Sequence, residues 1–223
     1  MRLLTVLRTS VGKKWLVGIT GLGLGGFTLT HMAGNMLILK GPESYNYYAH
    51  ALITNPFLPL AEIGLLVMAL VHVSLAMQLA RANRVSKGMK PYKVPTKEEC
   101  DRATFASRSM VYTGLLTLVF LVLHLITFKY GAHYTAVYNG VEMRDLHRLV
   151  VEKFKEWPYV AYYLFSLLVL MLHLGHGLSS FMQSLGLGSV RNNCLKKAGY
   201  AVAAVIVLGF MSQPLYVMFG GAF

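Results

Sequence analysis

The sequence predicts an all-α integral membrane protein, a bundle of five transmembrane helices forming one domain over residues 1–223. Three observations carry this. Of the 223 residues, 55% are hydrophobic and 13% charged, and mean hydropathy is +0.52; a soluble domain carries about 25% charged residues. Five apolar stretches are each long enough to cross a bilayer, which takes about 20 helical residues. Lysine and arginine gather on alternate connections between them.

The five spans run 15–39, 57–79, 110–128, 159–187 and 198–219, each bounded by charge or proline. The segments 40–56, 80–109, 129–158 and 188–197 read as plain connections, without strand alternation, internal repeat or low complexity. The basic start, MRLLTVLRTSVGKKW, is like that of a signal peptide. The apolar run behind it is too long and has no small-x-small cleavage site, so it reads as a retained first span.

Basic residues set the orientation. With the N-terminus cytoplasmic, four precede the first span, eight lie in 80–109 and three in 188–197, so fifteen fall inside and six outside. Cys100 and Cys194 then face a reducing compartment, and no disulfide is expected. The net charge of +12 becomes topology plus a cytoplasmic docking surface, and nucleic-acid binding drops out.

Of eight histidines, His50, His133 and His147 fall in outer connections and are expected to be solvated. His31, His72, His124, His173 and His176 lie within spans, where an imidazole needs a partner. Depth relates them. His31 lies 17 residues beyond Lys14 and His124 lies 16 beyond Arg108, about 24–26 Å from the inner boundary at 1.5 Å per residue. Counting from the outer boundary, His72 lies 16 residues beyond Pro56 and His173 lies 16 beyond Trp157. The chain thus offers two level pairs, one above the other.

Level histidines on different helices can clamp a flat ligand from both faces. Haem iron with two imidazoles is six-coordinate and leaves no site for substrate, which suits electron transfer. Two such haems stacked across the bilayer make an electron path. Zinc would want four donors at one level. A proton relay or a non-redox transporter would add buried acids, and only Glu62 lies inside a span. Gly34 and Gly177 share a helical face with His31 and His173, leaving room for a porphyrin or for close helix packing. Arg81, Arg84 and Arg108 stand where propionates of the inner haem would end, or serve topology alone. His176 lies about 4.5 Å deeper than His173, so His173 is the expected ligand and His176 stands beside a propionate or is hydrogen-bonded.

The pattern resembles the di-haem cytochrome b subunit of succinate:quinone oxidoreductases and quinol:fumarate reductases. The resemblance covers nearly the whole chain. It rests on the order His31, His72, His124, His173, on H-x-x-x-G-L from His173 to Leu178, on GPESYNYYAH after the first span, and on NPFLPLAEIGLL leading into the second. It implies that His31 and His124 hold a distal haem b, and His72 and His173 a proximal one. It implies further a flavoprotein (FAD) subunit carrying the succinate/fumarate chemistry, with no such active site in this chain. An iron–sulfur subunit would dock on 81–108. Menaquinone or another quinone would react beside the distal haem, in a bacterial cytoplasmic membrane. Some fumarate reductases of this family carry a glutamate two residues before the fourth ligand; Met171 stands there. Glu43 and Glu62 are the candidates for proton handling at the quinone. A ferrireductase-like or ascorbate-type di-haem cytochrome and a histidine-bearing transporter are the rival readings.

Overall fold

A computed structural model describes residues 9–86, 105–184 and 193–220. Cys100, most of the basic 81–108 segment and the side chain of Arg108 lie outside the described residues. Five helices are long and apolar enough to cross a membrane: Ser10–Lys40, Leu58–Val85, Ser109–Lys129, Trp157–Gln183 and Lys197–Met218. They match the five expected spans to within a few residues, except that the first begins five residues earlier and the second ends six residues later. Their length and composition alone support a multi-pass membrane protein. Large apolar side chains stand outward along them, Leu60 at 69% exposure and Val205 at 64% among them. In water that surface would be costly; in lipid it is the solvated face.

We name the helices in chain order. Helix α1 (Ser10–Asn35) is capped by Thr9, whose hydroxyl accepts from Gly12 N (3.1 Å), and runs on as a tight 3-10 turn, Met36–Lys40. Helix α3 (Leu58–Ser86) packs on α1; α4 (Phe105–His124) packs on α6 (Trp157–Ser184), and α6 also packs on α1. Helix α7 (Asn193–Met218) lies mainly against α6. Close approach in lipid is bought by small residues: a Cβ on Gly175 would lie 2.5 Å from the Tyr200 ring of α7.

The two connections on the side expected to be outer, labelled outer below, are built, and this corrects the reading of them as plain loops. After Gly41 (φ 99°), Pro42 opens a twelve-residue helix α2, Pro42–Ile53. Strands β1 (Thr135–Tyr138) and β2 (Val141–Arg144) form an antiparallel hairpin, with Tyr138 opposite Val141. Its turn is Asn139-Gly140, both at positive φ (50° and 78°), the backbone a two-residue hairpin loop requires. Four-residue strands are too short to show alternation. Asp145 then caps α5 (Leu146–Lys155), accepting from Arg148 N at 3.0 Å.

Asn46 ties this outer cap together. Its side chain has no exposure; Nδ2 donates to Asp145 Oδ1 (2.8 Å) and Oδ1 accepts the His147 backbone N–H (2.9 Å). His147 is buried as well, at 6% exposure, not solvated as its loop position suggested, because α2 and α5 pack face to face around it. Beneath them, the buried apolar core joins Ile38, Tyr45, Phe154, Tyr163 and Phe210. Asn46→Ala strands the His147 N–H and part of Asp145, so about 1–3 kcal/mol of stability should be lost. Hydrogen exchange of purified protein should show faster exchange across 135–155, with the amides of α6 unchanged.

Candidate cofactor-binding histidine pairs

The structure brings the level histidines together. The His31 and His124 rings have centroids 5.9 Å apart with planes at 89°. Those of His72 and His173 are 6.4 Å apart with planes at 73°. It is His173 that faces His72. Each pair joins two helices, α1 with α4 for the pair labelled outer and α3 with α6 for the pair labelled inner, the labels following the expected orientation.

These spacings have a chemical meaning. A metal–imidazole bond is about 2.0 Å and the ring centroid lies about 1.1 Å behind the bonding nitrogen, so two axial imidazoles on one metal have centroids about 6 Å apart. Both pairs meet that condition. Among the described residues no three His, Cys, Asp or Glu side chains converge, so the donor set zinc prefers is absent there.

A ligating imidazole needs its other nitrogen held. His72 Nδ1 lies 3.0 Å from Val17 O and 3.2 Å from Thr20 Oγ1. A carbonyl only accepts, so Nδ1 carries the proton and Nε2 keeps its lone pair. His173 Nδ1 meets Thr113 Oγ1 at 3.3 Å. His124 Nδ1 meets the Tyr163 hydroxyl at 3.1 Å. His31 differs: the Asn35 amide nitrogen lies 3.4 Å from both of its ring nitrogens. Asn35 itself is fixed, donating to His31 O (2.8 Å) and accepting from Tyr45 Oη (2.7 Å). Phe27 stacks on the His31 ring at 5.4 Å.

Two further glycines flank the inner pair. A Cβ on Gly21 would stand 2.9 Å from His72 Cε1, and one on Gly114 3.0 Å from His173 Cε1. Gly34 gives its space to Tyr48 of α2, whose Oη would lie 2.5 Å from a Cβ there, so the room it leaves is taken by protein; a Cβ on Gly177 would meet nothing within 4 Å. The sequence carries a short signal for Gly21 and Gly114. Thr20-Gly21-Leu22 precedes His31, and Thr113-Gly114-Leu115 precedes His124, at the same spacing of eleven residues. Three residues repeated once do not register as an internal repeat.

Around the outer pair the chain is aromatic and polar. Helix α4 widens into a π turn, Leu125–Lys129, directly after His124; π turns recur at functional sites. Arg144 reaches back to this turn, donating to Phe128 O (2.9 Å), Lys129 O (3.3 Å) and Ala132 O (3.3 Å). Among the described residues two buried side-chain atoms have no hydrogen-bond partner, Arg144 Nε and Tyr162 Oη. Tyr162 packs on Phe120, which in turn packs on His124.

The remaining candidates are placed separately. Glu62 is ion-paired with Lys129, joining α3 to the π turn, with both side chains partly exposed. Glu43 accepts from Asn139 Nδ2 (3.1 Å) at the hairpin turn. Arg81 and Arg84 are exposed at the inner end of α3, where Lys13 Nζ also donates to Gln78 Oε1 (2.9 Å). A surface groove of about 250 Å³ between α1 and α7 is lined by Leu29, Ala201, Val202, Val205 and Ile206, and contains no histidine. In comparisons with protein-family models, curated proteins and solved structures, nothing matches this chain.

His147 lies against Tyr45, ring centroids 6.1 Å apart, and Tyr45 leads through Asn35 to His31. Burial holds the His147 pKa below its ordinary 6.5, with Asp145 opposing in part. Below about pH 6.5 the unfolded chain therefore binds more protons at this site than the folded chain, and stability falls as pH drops. Thermal unfolding should show a lower midpoint at pH 5.5 than at pH 7.5. In His147→Gln that difference should shrink; an unchanged difference assigns the pH dependence elsewhere.

Proposed function

We propose that this chain is the membrane-anchor cytochrome b subunit of a succinate:quinone oxidoreductase or quinol:fumarate reductase. It carries electrons between an iron–sulfur subunit and a membrane quinone, of the menaquinone type. The observation that carries the reading is the pair of facing imidazole pairs at the spacing of axial ligands. Haem b, when bound, supplies one-electron redox chemistry. Everything else is done by the chain. His72 and His173 would hold the inner group and His31 and His124 the outer. With Nδ1 of His72, His173 and His124 engaged, Nε2 would be the ligating atom of each.

The arrangement favours the outer end for quinone. In the N-in orientation the basic segment 81–108 faces the cytoplasm beside the inner pair, so soluble partners, a flavoprotein and an iron–sulfur protein, exchange electrons there. Tyr163 bonds His124 directly, Tyr45 reaches His31 through Asn35, and the Glu62–Lys129 ion pair sits on the π turn that follows His124. Quinone reduction takes up two protons and quinol oxidation releases two, and a carboxylate within hydrogen-bond reach serves that exchange.

Purified complex should contain two b haems per chain by pyridine haemochrome assay, together with a flavoprotein and an iron–sulfur protein. One haem or none would sink the proposal, and two haems without those partners would leave a di-haem cytochrome of another kind. His173→Ala should remove one haem and His176→Ala neither; the opposite outcome moves the ligand to His176.

Proton handling is tested separately. Glu62→Gln and Glu43→Gln are each assayed by succinate oxidation with a soluble dye and by quinone turnover. A proton-handling carboxylate loses quinone turnover by about 10²-fold or more and keeps dye reduction and both haems. Lys129→Met breaks the same ion pair, so equal losses in Glu62→Gln and Lys129→Met would give Glu62 a structural role only.

A further inference from the structure

The inner pair is built with a symmetry that the histidines alone do not require. Thr20 on α1 and Thr113 on α4 stand in the same relation to His72 and His173, the rings of the neighbouring helices. Each hydroxyl donates its own proton to its helix backbone. Thr20 Oγ1 donates to Leu16 O (2.7 Å) or Val17 O (3.1 Å), and Thr113 Oγ1 to Ser109 O or Met110 O (3.2 Å each). A hydroxyl has one donor and two acceptor sites, so with the proton spent the oxygen faces the imidazole as an acceptor. The next residue, Gly21 or Gly114, is where a Cβ would press on the same ring. Eleven residues are about three helical turns. Thr20 therefore lies on the face of α1 that carries His31, and Thr113 on the face of α4 that carries His124.

We propose that Thr20 and Thr113 are positioning residues of the inner site. Their hydroxyl oxygens share the Nδ1 protons of His72 and His173 with the Val17 and Met110 backbone, help fix both rings through Nδ1, and raise the basicity of both ligands to the same metal. Gly21 and Gly114 let the rings seat against the threonines. Hydrogen bonding at Nδ1 makes an imidazole a stronger donor to iron and favours the oxidised state. The two threonines, on different helices and 93 residues apart in sequence, thus act on one haem and not on the outer one. This rests on the haem reading above and deepens it.

The test uses the whole complex and redox titration of the visible haem bands. In wild type, two resolved b-type components establish the haem reading independently of the threonines, and their absence overturns both proposals. Thr20→Val and Thr113→Val keep the side-chain shape and remove the acceptor. Each should raise the midpoint of the same component by a three- to tenfold change in its reduced-to-oxidised ratio, tenfold being 59 mV for one electron. Thr20→Ser and Thr113→Ser, which keep the hydroxyl, should restore the wild-type midpoint. The component moved should be the one lost in His72→Ala. Should a valine variant fail to assemble, alanine takes its place in the same titration. Two haems in wild type with both midpoints unmoved in the valine variants overturns the positioning role alone. So does a shift that serine does not reverse, which is packing, or a shift of different components by the two variants.

Discussion

An imidazole inside hydrocarbon must have both nitrogens accounted for, and most of this structure follows from that. Water is absent, so any partner must come from the chain or from what the chain binds. For His72 the chain supplies Val17 O and Thr20 on one nitrogen, and the neighbouring ring is that of His173. For His124 it supplies the Tyr163 hydroxyl. The helices are therefore not interchangeable apolar rods. Each must present its histidine at a set depth and, three turns away or on a neighbour, the atom that completes another helix's histidine.

Such a layout needs rotation and height fixed together, and the outer cap contributes to both. Arg144 holds the carbonyl end of the π turn that follows His124, and Asn46 fastens α2 to the start of α5. Below the cap the buried core runs through Ile38, Tyr163 and Phe210, and Tyr163 and Phe210 each touch a histidine of the outer pair. Among its described residues α3 has no buried position; its place is set by packing on α1 and by two polar ties, Lys13–Gln78 at one end and Lys129–Glu62 at the other.

The spans and the pairing of histidines were legible in the sequence because both depend on one dimension. Bilayer thickness fixes the apolar length, and a constant rise per residue converts a count from the last charge into a depth. What was not legible depends on direction around the helix or on contacts between distant segments. Thr20 and Thr113 look like ordinary small polar residues until their helices are placed beside α3 and α6. Gly34 sat on the right face, yet Tyr48 of α2 fills the space, and α2 lay in a segment that read as a loop. His147 read as solvated for the same reason. The hairpin escaped notice because its strands are four residues long, although Asn139-Gly140 was visible as turn chemistry.

The two levels differ in how far the correspondence between α1–α3 and α4–α6 persists. At the inner level it is close: threonine, glycine and histidine repeat with the same contacts. At the outer level it breaks. Ten residues before His173 stands Tyr163, buried and bonded to His124; ten before His72 stands Glu62, half-exposed and paired with Lys129. Likewise His124 has a hydroxyl on Nδ1, whereas His31 has an amide nitrogen 3.4 Å from both ring nitrogens. A site that only relays electrons gains from two equivalent, fully satisfied ligands. A site that also exchanges protons with a second substrate needs an ionisable group and an accessible side. The inner level has the first character, so under the proposed function the break in symmetry at the outer level is what divides relay from quinone chemistry.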